Sequence, residues 1–168
     1  MAINNQQIAC QKIISGGQTG VDRGALDACI EKSFLCGGWC PASRLAEDGP
    51  IDKKYPLKET AESDYSYRTI KNIEDSDGTL IISHETISGG TLLTLQVAKE
   101  KSKPFIIINS FHHTKKKIIF QILDWLNENH ILILNVAGPR ESEWKEGYRK
   151  SKCIISGLID TLVKNSSL

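Results

Sequence analysis

Glycines interleaved with amide, hydroxyl and charged side chains, Gly16-Gly17-Gln18-Thr19-Gly20-Val21-Asp22-Arg23, follow directly on the apolar run Ile13-Ile14-Ser15. A strand that enters a glycine turn and opens a helix aims unpaired N–H groups and the positive end of the helix dipole at one point. That is the chemistry of an anion site, above all a phosphate site. Gly16, Gly17 and Gly20 let a ligand approach the backbone, while Gln18 and Thr19 add polar side chains. Arg23 carries the planar fork that grips a phosphate through two hydrogen bonds. Asp22 either caps the helix or holds a ribose hydroxyl or a metal. The glycines also suit close strand–helix packing, so this turn alone leaves both readings open.

A second turn, Ser88-Gly89-Gly90-Thr91, repeats the pattern between an apolar strand and a helix. Gly89, Gly90 and the Thr91 hydroxyl predict a second anion point, as a nucleotide diphosphate or a phosphorylated sugar would use. Arg140, beside Gly138-Pro139 and ahead of a helix, is the arginine best placed to join them; Arg44 and Arg68 are others near the rim. For acid–base chemistry the candidates are Asp22, Glu47 and Asp48, with His84 and Glu85 after a strand as a further possibility for a general base.

Common nucleotide signatures fit poorly. Ser15 stands where the nicotinamide fingerprint has its first glycine, and no acid follows the second strand near Trp39. Gly20 leads into Val21-Asp22, not the Lys-Ser/Thr of the NTPase phosphate loop. Cys36 and Cys40 have no second Cys or His pair at finger spacing, so no metal site is predicted. An odd number of cysteines, five, argues against a disulfide framework.

The elements that must position these loops alternate. Strands are predicted over 13–14, 34–39, 79–83, 105–109 and 131–136. Helices are predicted over 22–32, 65–74, from the second glycine turn to about 101, over 115–128, and from about Trp144 to near Lys164, with Gly147 and Gly157 inside the last. An irregular stretch, 40–58, is long enough to be functional. This is an α/β, Rossmann-like, doubly wound and mostly parallel sheet with helices on both faces, in one domain of 168 residues. In such sheets the ligand crevice lies beyond the carboxyl ends of the strands, at the switch in strand order. The loops 16–20, 40–48, 89–91 and 138–142 all follow strands.

A net charge of +1 gives no global field for nucleic acid or an anionic membrane, so a phosphate must be held locally. No stretch approaches the length of a membrane span, the first residues are polar, and the chain reads as cytoplasmic. Exposed apolar helix faces predict a homo-oligomer.

Ile14 to Ala25, Gly38-Trp39-Cys40-Pro41, Ala46-Glu47-Asp48-Gly49, Asp75-Ser76-Asp77-Gly78-Thr79, Ser88-Gly89-Gly90-Thr91 and Asn135 to Ser142 together resemble the bacterial putative molybdenum carrier family. The likeness spans about residues 13–162. That family is similar to the LOG phosphoribohydrolases and the algal molybdenum cofactor carrier protein. The resemblance implies a small phosphorylated ligand, either the pterin molybdenum cofactor or a nucleotide. LOG-type enzymes place a catalytic glutamate three residues after the threonine of their glycine motif; the matching position here is Thr94. The resemblance therefore favours binding over LOG-type hydrolysis of a nucleoside monophosphate.

Overall fold

The computed structural model describes residues 10–84, 86–110 and 113–166. Glu85 lies outside them. In chain order the elements are β1 (Lys12–Ile14), α1 (Val21–Glu31), β2 (Cys36–Gly37), β3 (Trp39–Cys40), a 3-10 turn (Ala42–Arg44), β4 (Leu45–Ala46), β5 (Gly49–Pro50), β6 (Lys58–Glu59), α2 (Tyr65–Glu74), β7 (Gly78–Ser83), α3 (Gly89–Glu100), β8 (Phe105–Asn109), α4 (Lys115–Glu128), β9 (Ile133–Ala137) and α5 (Gly147–Ser166).

Five of the strands form one parallel sheet in the order β2-β1-β9-β7-β8. Every residue of β7 is buried, as expected of a strand covered on both faces, which explains its unbroken run Leu80-Ile81-Ile82. Helices α1, α4 and α5 pack together, and α2 packs on α3. Counting from β9 as the first strand turns the order into 3-2-1-4-5, the doubly wound arrangement of dinucleotide-binding sheets. The chain thus carries the first strand of that arrangement at its end. The switch in strand order falls between β9 and β7.

Three expectations are corrected. The strand predicted over 34–39 is split. Gly38 sits at φ +132 with the Ser15 carbonyl oxygen 2.1 Å from where a Cβ would stand, so only glycine fits there. Beyond Gly38 the chain leaves the main sheet, and β3 pairs with β6 instead. The stretch 40–58 is also not uniformly irregular: β4 and β5 form a small antiparallel pair. Beneath it lies a second core of Leu26, Cys40, Ala46, Ile51 and Tyr55. Finally, α5 begins at Gly147, so Trp144 precedes the helix and Gly147 opens it.

Candidate functional site

At the switch between β9 and β7 the molecule holds a cavity of about 170 Å³. The turn after β1 contributes Gln18 and Asp22 to its wall, α2 contributes Tyr65 and Arg68, α3 contributes Gly90, Thr91 and Thr94, and the loop after β9 contributes Gly138, Arg140 and Glu143.

In the first glycine turn three N–H groups are taken by the protein. The Gln18 N–H donates to Asp22 Oδ2 at 3.3 Å, the Thr19 N–H to Gln18 Oε1 at 3.0 Å, and the Val21 N–H to the Pro139 carbonyl at 3.2 Å. Its glycine faces are covered as well. A Cβ on Gly16 would stand 1.4 Å from Arg68 Nη1, and one on Gly17 would stand 2.5 Å from Leu57. Gly20, at φ +78, would place a Cβ 2.6 Å from the Pro139 carbonyl oxygen.

Glu47 and Asp48 lie beside this turn and line no part of the cavity. Glu47 ties three loops together. It accepts the Thr19 hydroxyl, the Ser142 N–H at 3.1 Å and the Ser142 hydroxyl at 2.5 Å, while its own N–H donates to Gln18 Oε1 at 3.0 Å. Burial pushes its carboxyl up, but the hydrogen bonds from Ser142 and Thr19, with Arg140 nearby, hold it below its usual range. Asp48 grips Arg23 through two bonds of 2.5 and 2.8 Å, which keeps the Asp48 carboxyl low. Arg23 also donates to the Gly17 carbonyl at 3.1 Å, so its fork points away from the cavity.

The second turn is open. The first α-helical bond of α3 runs from the Leu92 N–H to the Ser88 carbonyl, and the Ser88 side chain does not cap the helix. The Gly90 and Thr91 N–H groups meet no acceptor among the described residues. A Cβ added at Gly90 would meet nothing within 4 Å. Thr91 is 3% exposed, and its hydroxyl is buried in the cavity wall without a hydrogen-bond partner. Such an orphaned hydroxyl costs free energy unless a ligand completes it.

Opposite the turn, Arg68 Nη1 donates to Asp22 Oδ2 at 2.8 Å, and its buried Nε has no partner. Asp22 is 4% exposed; burial raises its carboxyl above the usual range, outweighing the attraction of Arg68. Thr94 donates its hydroxyl to the Gly90 carbonyl at 3.0 Å, so no carboxylate enters from that position. Arg140 reaches the mouth, 3.2 Å from Glu143 and 3.8 Å from Glu47. His84 stacks on Trp144 at 4.7 Å and does not line the cavity. Arg44 donates to four backbone carbonyls of the segment 51–57 and is structural.

Arg68 is the member of the site that its sequence context undervalued. A usable signal existed: Tyr65, Arg68 and Asn72 lie at helical spacing, and Asn72 is buried with its side chain on the Trp39 backbone. That polar stripe faces inward.

A doubly wound order cut and rejoined at β9 has a counterpart among known families. The model of the circularly permutated YpsA SLOG family matches residues 13–159. This chain belongs to that family. Among solved structures, the SLOG chain is similar to a protein from Syntrophus aciditrophicus named "putative molybdenum carrier protein". The two share 42% identity with a TM-score of 0.88, over 92% of this chain and 98% of the other. No curated protein matched the chain. Among the described residues no helix is long and apolar enough to cross a membrane.

Proposed function

We propose that this SLOG protein binds a phosphorylated, nucleotide-like ligand at the β9–β7 switch. The phosphate accepts from the Gly90 and Thr91 N–H groups and the Thr91 hydroxyl, and Arg140 closes over it from the mouth. Arg68 and Asp22 face the sugar. The reading is carried by one observation: a buried, unpartnered Thr91 hydroxyl at an uncapped helix N-terminus. The cavity's 170 Å³ is below the ~300 Å³ at which drug-sized pockets begin, so it takes the phosphate and pentose and leaves the base at the rim beside Tyr65.

The pterin molybdenum cofactor is one candidate. Its phosphate fits the same turn, and its ring system must extend over the rim; the described lining residues offer no thiol or imidazole to the metal. The first glycine turn acts as a support for the clamp and not as its second phosphate point. A thermal-shift panel of nucleoside monophosphates, ADP-ribose and the pterin cofactor tests the reading, since a bound ligand raises the melting temperature. No shift at millimolar concentration defeats it.

A second reading, a hydrolase acting on a nucleoside monophosphate, is favoured by Asp22 alone. This acid lines the cavity, paired with Arg68, with its carboxyl pushed above the ordinary range by burial, and is an acid–base group within reach of a ligand there. It predicts release of free base that Asp22→Asn abolishes while the protein stays folded. A homo-oligomer remains part of the proposal, supported by exposed Phe120 on α4 and Ile107 on β8, with light scattering as the test.

A further inference from the structure

On α4 the charges are arranged against the helix that carries them. Its first turn is Lys115-Lys116-Lys117, at the positive end of the dipole, while Asp124 and Glu128 stand towards the negative end. Of the five helices, α4 alone has no acid in its first turn and no base in its last. None of these five side chains enters an ion pair among the described residues. Lys116, Phe120 and Asp124 are exposed, Phe120 to 55%. Spaced by four, they form one stripe along the helix: a cation, a ring and a carboxylate. Beside it, Ile119, Phe120 and Leu123 line a groove of about 450 Å³ with Thr161 of α5. The groove shares no lining residue with the cavity of the candidate site.

We propose that this stripe is the contact between two copies of the chain, with their α4 helices antiparallel about a two-fold axis at Phe120. The inference rests on the homo-oligomer reading above and gives it an interface. In such a pair, residues equally far before and after Phe120 face one another. Lys116 meets the partner's Asp124, and the two-fold repeats the contact in reverse. The two Phe120 rings meet on the axis, each at the mouth of the other's groove. The stripe is thus its own complement, so the contact closes as a dimer and does not propagate. Antiparallel dipoles also bring the three lysines to the negative end of the partner helix, and Asp124 and Glu128 to its positive end. An anionic membrane or polymer would answer the lysines and repel both acids, so a second copy fits better. One helix pair about 21 Å long is a small interface, and the dimer forms in the micromolar range.

Sedimentation of the full-length chain across micromolar concentrations tests this contact. Lys116→Glu and Asp124→Lys each set like charges face to face, and each should weaken the dimer at least about tenfold. Both also correct the dipole of α4 itself, so the folded monomer should be no less stable to urea. An equimolar mixture of the two variants restores opposite charges at both contacts. It should give a heterodimer of about wild-type affinity, which a misfolded variant could not form. An oligomer that neither substitution weakens, or variants that mixing fails to rescue, overturns the α4 contact and leaves the homo-oligomer reading intact. A wild-type chain that stays monomeric overturns both.

Discussion

The two glycine turns have nearly the same composition and opposite fates. In the first, each glycine face is pressed against protein, and the N–H groups of Gln18, Thr19 and Val21 are taken by Asp22, Gln18 and Pro139. In the second, Gly90 faces open space, and the buried Thr91 hydroxyl beside it has no partner. Glycine at a helix start therefore serves two purposes in one molecule. It lets another segment approach the backbone, or it leaves the backbone bare, as the proposed phosphate site requires. What separates the cases is the neighbour. The loop after β9 lies on the first turn through Pro139, whereas among the described residues nothing covers Gly90.

Alanine scanning sharpens that contrast. Gly20→Ala forces a side chain into the Pro139 carbonyl at positive φ and should cost more than about 3 kcal/mol, read as a fall in the urea midpoint. Gly90→Ala should leave stability within about 1 kcal/mol and weaken phosphate-ligand binding at least about tenfold by calorimetry. A Gly20→Ala protein as stable as wild type breaks the comparison.

Thr91→Val comes next in size. It removes the proposed hydrogen bond to a charged ligand, worth about 1.5–3 kcal/mol of affinity, while replacing an orphaned hydroxyl with a methyl group. Stability in the absence of ligand should hold or rise. A fall in stability without a fall in affinity would mean that the hydroxyl is structural.

The smallest effect is in the pH dependence. Glu47 and Asp48 have folded-state values below their usual 4.5 and 3.8, so each adds stability above those values that is lost as pH falls through the folded ones. Asp22 is raised from 3.8, so its contribution is present at low pH and lost as pH rises through its folded value. Glu47→Gln should flatten the acid limb of denaturant midpoints measured from pH 6 to 3, and Asp22→Asn should steepen it.

Much of this was readable beforehand. The apolar runs at Leu80-Ile81-Ile82 and Ile106-Ile107-Ile108 and the periodic face Ile118, Ile122, Leu126 mark their elements through apolar spacing alone. The two-residue strands between Trp39 and Glu59 are too short to show any period. Their pairing depends on Gly38 turning the chain out of the sheet, a tertiary event. Within the site, Gly90 and Thr91 were legible because local chain order makes a helix N-terminus. The roles of Glu47 and Asp48 were not, since their partners Ser142 and Arg23 are distant in sequence. Arg68 enters the cavity only because Gly16, on another element, leaves room for its guanidinium.

The central position of β9 has a consequence for the order of assembly. It pairs with β1 on one side and β7 on the other, and β1 and β7 never touch each other in the ladder. Of the five strands β9 is translated last, after both of the pairs that it joins, β1 with β2 and β7 with β8. Until β9 slots between them, the Pro139 loop is missing from the first turn and the wall of the cavity has no Gly138 or Arg140. Closure is then a long-range step, the kind that slows folding. Ligand competence should appear abruptly during synthesis, when residues 133–143 have cleared the exit tunnel.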